Sequence, residues 1–178
     1  MPGEIVVASG LVEAIGLDNA ALHYKSKKMN FFEIMPIENH EVGLKKVAAL
    51  LLDEEKGAIK SIEDIDAIGH RVVHGGKDFS DTIVIDAEVK KTIKRLFSLA
   101  PLHNPHNYTG IEVAEEVFPG TTQIAAFDTA FHQTLPEKAY RYAIPNKLLD
   151  ENYIRVYGFH GTSHKYVAEK AKDFISKK

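Results

Sequence analysis

Cysteine is absent from this 178-residue chain, which excludes disulfides and thiolate metal sites. Long hydrophobic runs are absent too. The longest, Val47 to Leu52, falls far short of the roughly 20 apolar residues that a membrane helix needs. Met1-Pro2-Gly3-Glu4 lacks the basic and apolar stretches of a signal peptide. Neither sign of charge dominates: 22 Lys and Arg stand against 25 Asp and Glu, a net charge of −3. No overall basic field therefore draws nucleic acid or an anionic membrane. Low-complexity stretches, internal repeats and Gly/Ser/Pro-rich linkers are missing as well. What remains is an ordinary globular composition, 44% hydrophobic and 26% charged. The expectation is a cytoplasmic protein with a real core and neither nucleic-acid nor membrane partners.

The pattern of apolar residues predicts alternating strands and helices. Short strands are expected at Ile5-Val6-Val7, Ala21 to Tyr24 and Phe31 to Ile37, broken by Gly16 and Asp18-Asn19. Leu44, Val47, Ala48 and Leu51 recur at helical spacing before Gly57. Val89, Ile93, Leu96 and Phe97 make a second stripe behind an N-cap at Asp86. Ile111, Ala114 and Phe118 mark a weaker helix ending at Pro119-Gly120, and Val167, Ala171, Phe174 and Ile175 mark another after Ser163. Apolar runs at Ala67 to Val73, Ile124 to Phe127 and Val156 to Phe159 read as buried strands. Such alternation predicts an α/β domain, a mixed sheet with flanking helices. Its polar residues gather near strand ends, where open α/β sheets bind ligands.

Four stretches combine chemistry-bearing side chains with turn-forming residues. Gly69-His70-Arg71-Val72-Val73-His74-Gly75-Gly76 pairs a double glycine, which permits close backbone approach, with an arginine fork suited to carboxylate or phosphate. A strand entering a Gly-Gly turn with one surface arginine accounts for the same residues. Pro101-Leu102-His103-Asn104-Pro105-His106-Asn107 is a rigid polar loop, equally readable as a helix cap. Phe127-Asp128-Thr129-Ala130-Phe131-His132 sets an acid just past an apolar strand, where it can serve chemistry or cap a turn. Tyr157-Gly158-Phe159-His160-Gly161-Thr162-Ser163-His164 opens a helix whose first N–H groups favour an anion.

Two rival chemistries use the same residues. His160 with His164, or His70 with His74, have spacings open to zinc, but no HExxH motif and no third ligand accompany them. Asp128, His132 and Ser163 include the residue types of a hydrolase triad, yet the G-x-S-x-G elbow is missing.

Together, AIGHRVVHGG (67–76), PLHNPHN, FDTAFHQTLP and YGFHGTSHKYV resemble the acetokinase family, in its order and spacing, from about Gly10 onward. The resemblance implies a two-lobed fold of the sugar-kinase, Hsp70 and actin (ribonuclease H-like) superfamily, with this chain a partial first lobe. Residues 1–178 would form a truncated N-terminal acetokinase lobe. The family's opening strand, its Asn-x-Gly-Ser-Ser-Ser phosphate loop and its second lobe have no counterpart here. The implied activity is reversible phosphoryl transfer between ATP and acetate, with Mg²⁺, and with the chain inactive alone. A non-catalytic α/β fragment and a zinc-dependent hydrolase are the alternatives.

By the same resemblance, Arg71, Asp128 and His160 are catalytic, His160 hydrogen-bonding the phosphoryl group in transit, and His103 is a further active-site histidine that positions its neighbours. Arg71, Val73, Leu102 and Phe159 bind substrate, the last three around its methyl group. No metal ligand is directly identifiable, Asp128 reaching Mg²⁺ at most through water. The family is homodimeric, and this piece is expected to self-associate or to cover strand 67–73, whose usual neighbour has no counterpart here.

Overall fold

The computed structural model describes residues 5–176. They divide into two compact units. One runs up to Ile68 and takes in Thr109–Thr121; the other comprises Gly69–Tyr108 and the chain from Thr122 onward.

The first unit begins with an antiparallel meander of β1 (Ala8–Glu13), β2 (Ala21–Ser26) and β3 (Asn30–Ile34), in the order β1-β2-β3. The register pairs Val12 with Leu22 and Tyr24 with Phe31, which puts these apolar residues on one face. Ala20, Leu22 and Ile37 form the buried centre, with Val12, Phe31, Val42, Val47 and Leu50 packed around them. The last three come with helix α1 (His40–Leu52), capped by Asn39, whose side chain accepts the Val42 N–H. The expected strand at residues 5–7 does not form. Ile5, Val6 and Val7 are exposed, and pairing starts only at Ala8, opposite Ser26. The strand expected over 31–37 is shorter, ending at Ile34.

The second unit is built on a three-stranded sheet, ordered β4-β6-β5, from β4 (Ala67–Val72), β5 (Ile83–Val84) and β6 (Thr122–Phe127). Two-residue alternation buries Gln123, Ala125 and Phe127 of β6, and the Phe127 ring stacks on Phe79 at 4.2 Å. Helix α2 (Ala87–Arg95) buries Val89 and Ile93 behind its Asp86 cap, as the periodicity predicts. Helix α3 (Asn104–Val117) follows the proline loop, its residues up to Tyr108 belonging to this unit and those from Thr109 to the first. Two short helices, α4 (Glu137–Tyr140) and α5 (Asn146–Asn152), precede α6 (Gly161–Ile175).

Three expectations are corrected here. Strand β4 stops at Val72, one residue early, because the next two amides turn to side chains of α3, as set out below. Residues 156–159 form no strand. Val156 donates one backbone bond to Tyr140, and no ladder continues it. Helix α6 begins at Gly161 rather than after Ser163, and its apolar stripe stays exposed, with Val167 60% and Ile175 71% accessible. Among the described residues no helix is long and apolar enough to cross a membrane.

Candidate active site

The site grows from the ends of two neighbouring strands. Arg71 lies one residue before the end of β4, and Asp128 follows the last residue of β6. The Asp128 N–H donates to the Val72 carbonyl at 3.0 Å, prolonging the sheet by one bond. That bond sets the two side chains against each other. Arg71 Nε donates to Asp128 Oδ1 and Oδ2 at 2.9 and 3.1 Å, and Nη2 donates to Oδ2 at 2.6 Å. The carboxylate is 3% exposed and the guanidinium side chain 63%. Hydrogen bonding to Asp128, then its charge, raises the Arg71 pKa further above its ordinary value. Asp128 occupies one edge of the guanidinium and leaves the Nη1 hydrogens for a ligand.

Asp128 also fixes the opposite wall through its carbonyl, which accepts the Gly161 N–H at 2.8 Å. A Cβ at Gly161 would collide with that same carbonyl oxygen, so the close approach requires glycine there. His160, just before it, holds φ 55°, a left-handed conformation that non-glycine residues rarely adopt. Strain of this kind concentrates at functional positions. Its Nδ1 lies 3.4 Å from Arg71 Nη2. Arginine only donates, so Nδ1 is the acceptor and Nε2 carries the ring hydrogen.

Beyond Val72 the backbone is held by side chains. The N–H of Val73 donates to Asn107 Oδ1 at 3.1 Å, and that of His74 to Asn104 Oδ1 at 3.0 Å. The N–H of Gly75 donates to Thr129 Oγ1 at 2.9 Å, and that of Gly76 to Nδ1 of His74 at 3.0 Å. Asn104 Nδ2 returns a bond to the His74 carbonyl at 2.9 Å. The double glycine is needed here: Gly76 has φ 57°, and a Cβ on Gly75 would stand 2.9 Å from the Phe127 ring. The His74 ring is 2% exposed and meets Tyr157 edge-on at 4.4 Å and Phe159 at 5.6 Å. Burial pushes its pKa down to about 4.

These walls enclose a pocket of about 560 Å³. Arg71, Asp128, His103 and His160 supply its polar lining, and Val73, Leu102 and Phe159 part of its apolar lining. All seven residues singled out in the sequence thus meet in one place. Leu99, Ala100 and Pro101 join them. Sequence reasoning passed over Leu99 and Ala100 because small and aliphatic residues ahead of a loop look like any helix end. The buried Asn104 and the capping Asn107 were also missed as individuals, although the asparagines at both positions of Asn-Pro-His-Asn were a visible signal.

Neither rival chemistry finds its geometry. His70 Nε2 bonds Gln123 Oε1 at 2.6 Å, while His74 Nδ1 faces Gly76, so the two do not converge on a metal. His132 Nε2 lies 3.1 Å from the Phe159 carbonyl and Asp128 serves Arg71, which breaks up the imagined triad with Ser163. Among the described residues no three His, Asp or Glu gather to hold a metal. Both Asp128 oxygens accept from Arg71.

A buried aspartate holding an exposed arginine, beside a histidine and an apolar wall, lines one pocket of an α/β protein. Residues 2–178 match the model of the acetokinase family, and the chain belongs to that family. It is 56% identical over 177 residues to an acetate kinase of Flavobacterium johnsoniae, covering 99% of this chain and 45% of that protein. It is 47% identical to an acetate kinase of Clostridium acetobutylicum, covering 100% of this chain and 44% of the other. The crystal structure of Porphyromonas gingivalis acetate kinase superposes with a TM-score of 0.89 at 41% identity, over 99% of this chain and 44% of that one. A propionate kinase from Francisella tularensis gives 0.88 at 39% identity, over 96% and 43%. The chain therefore spans a little under half the length of these relatives.

Proposed function

We propose that this chain carries the acyl- and phosphoryl-binding part of an acetate kinase, which moves a phosphoryl group reversibly between ATP and acetate. The observation that carries the reading is the convergence of Arg71, Asp128 and His160 with Val73, Leu102 and Phe159 on one pocket. A small carboxylic acid has an ordinary pKa near 4, so acetate is already ionised at neutral pH and needs no general base. Asp128 is badly placed to be one, since both its oxygens accept from Arg71. Its part is to aim the guanidinium. The free edge of Arg71 takes the acetate carboxylate and then the phosphoryl oxygens as charge builds on them. His160, with Nδ1 turned to Arg71, keeps its Nε2 hydrogen for a phosphoryl oxygen. His103 borders the same space, and the apolar wall shelters the methyl group. Transfer of this kind asks little covalent work of the protein and much positioning.

Mg²⁺ belongs to the reading as the usual companion of ATP, supplying charge neutralisation when bound, and no step here depends on residues that would ligate it. The reading takes acetate and ATP as the substrates of the whole enzyme and the cytoplasm as its compartment. With under half of its relatives' length, the chain by itself is expected to make no acetyl phosphate in a hydroxylamine trap, because positioning is incomplete. Saturation-transfer NMR tests the binding claim directly. Acetate should contact the chain through its methyl group, acetyl phosphate should displace it, and Arg71→Lys should weaken both by about 10- to 100-fold through loss of the planar fork. Binding indifferent to Arg71, or no binding of either compound, would remove the proposal.

A further inference from the structure

The pocket's apolar wall is held from behind by two asparagines that do not themselves line the cavity. Asn104 and Asn107 stand three residues apart at the start of α3, on one face of its first turn. That turn is anchored to the loop before it: the N–H groups of His103 and Asn104 both donate to the Ala100 carbonyl, and Asn107 N–H donates to the His103 carbonyl. The two side chains then reach the strand end. Asn107 Oδ1 accepts from Val73, and Asn104 makes a two-way clamp on the backbone of His74. Asn104 is fully buried. These bonds replace the sheet ladder where β4 has run out, and they tie the loop bearing Leu102 and His103 to the segment bearing Arg71 and Val73.

We propose that Asn107, backed by Asn104, is a positioning residue that sets the pocket width at Val73 and so decides which short carboxylic acid fits. The proposal rests on the carboxylate reading of the pocket. A wall held by a single acceptor can step back when that acceptor is removed, and one methylene of extra room is what separates propionate from acetate. A hydrophobic pocket distinguishes the two only weakly, so a small displacement is enough to change the ranking. Asn104 clamps both backbone groups of the next residue and keeps the hinge of this movement fixed.

The test uses the full chain and four proteins: the parent, Asn107→Leu, Asn107→Ala and Asn107→Asp. Aspartate keeps the acceptor and serves as the conservative rescue; alanine carries the comparison should the leucine variant fold poorly. Hydrogen exchange at the Val73 and His74 amides reads the clamp, and the ratio of acetate to propionate affinity by ligand-observed NMR reads the pocket. The parent is expected to protect both amides and to prefer acetate. Asn107→Leu and Asn107→Ala should speed exchange at Val73 and lower the affinity ratio by about 3- to 10-fold, and Asn107→Asp should restore both. Faster exchange with an unchanged ratio would reduce Asn107 to a structural stay and overturn the proposal, as would unchanged exchange. If the parent binds neither acid, the carboxylate reading falls and takes this proposal with it. That outcome is distinct from a parent that binds acetate while the variants keep its selectivity.

Discussion

The two units of this chain solve burial in opposite ways. In the first, the centre is Ala20, Leu22 and Ile37 with aliphatic neighbours, and ordinary apolar packing holds the meander to its helix. In the second, His74, Asn104, Gln123, Asp128 and Thr129 are buried alongside the apolar core, and among the described residues these are the buried polar and charged side chains. No buried side-chain nitrogen or oxygen among the described residues lacks a partner. Burying such groups costs free energy unless each is bonded, and an apolar core would serve stability as well or better. Their concentration around Val73, His74 and Arg71 sets the unit that holds the pocket apart from the other.

The sharpest way to break this contrast is to damage each unit in its own terms. Leu22→Ala empties part of the first unit's core and should cost about 2–5 kcal/mol in urea unfolding, leaving any acetate contact at the pocket unchanged in protein that remains folded. Equal loss of acetate contact would mean the two units are not separable in this way. Asn104→Leu keeps volume but orphans the His74 N–H and carbonyl, at about 1–3 kcal/mol for each buried group. It should also disturb the pocket. A neutral outcome would show that the polar clamp is dispensable.

Acid provides the next comparison. The His74 pKa is depressed to about 4 in the folded chain from an ordinary value near 6.5. The unfolded chain therefore binds the proton first as pH falls. The stability tied to a neutral His74 is fully present above pH ~6.5, declines as pH drops through that range, and levels off below about pH 4. The loss should amount to at most about 3.4 kcal/mol. Stability of the parent should fall between about pH 6.5 and pH 4 while that of His74→Gln lacks this fall; an identical acid slope in both would assign it elsewhere.

The smallest effect belongs to the first unit's surface. Glu41 and Lys45 form an exposed ion pair one turn apart on α1, the counterpart in sign of Arg71 and Asp128 but without burial. Glu41→Ala should change stability by less than about 0.5 kcal/mol, measured by the same urea midpoint. A larger loss would undo the claim that burial separates the two pairs.

Much of this was legible in the amino-acid sequence. Helix α1 announced itself by spacing, α2 by spacing and by Asp86 at its start, and β6 by its apolar run before Asp128. The site residues were legible because glycine, proline, histidine and arginine in a fixed order resemble one family closely. Less visible were effects that depend on partners far away in sequence. Val156 to Phe159 looks like a strand from its apolar residues, yet Gly158 fits against the His132 ring and the segment serves to place Tyr157 and Phe159 around His74. The early end of β4 depends on Asn104 and Asn107, some thirty residues on, and no local propensity encodes it. Helix α6 shows a clear apolar stripe by spacing, but spacing does not say whether the stripe is covered.

The central claim is that the second unit alone holds a prepared anion pocket, with Arg71 aimed by Asp128 before any ligand arrives. Amide and arginine side-chain NMR on the labelled chain, titrated with acetate, tests it most directly. The account predicts a protected Arg71 Nε–H signal in the free chain that is lost in Asp128→Asn. It also predicts acetate-induced shifts at Val73, His103, Phe159 and His160, with β1, β2 and β3 unmoved. An Arg71 signal indifferent to Asp128, or shifts spread over the meander and absent from those four residues, would contradict it.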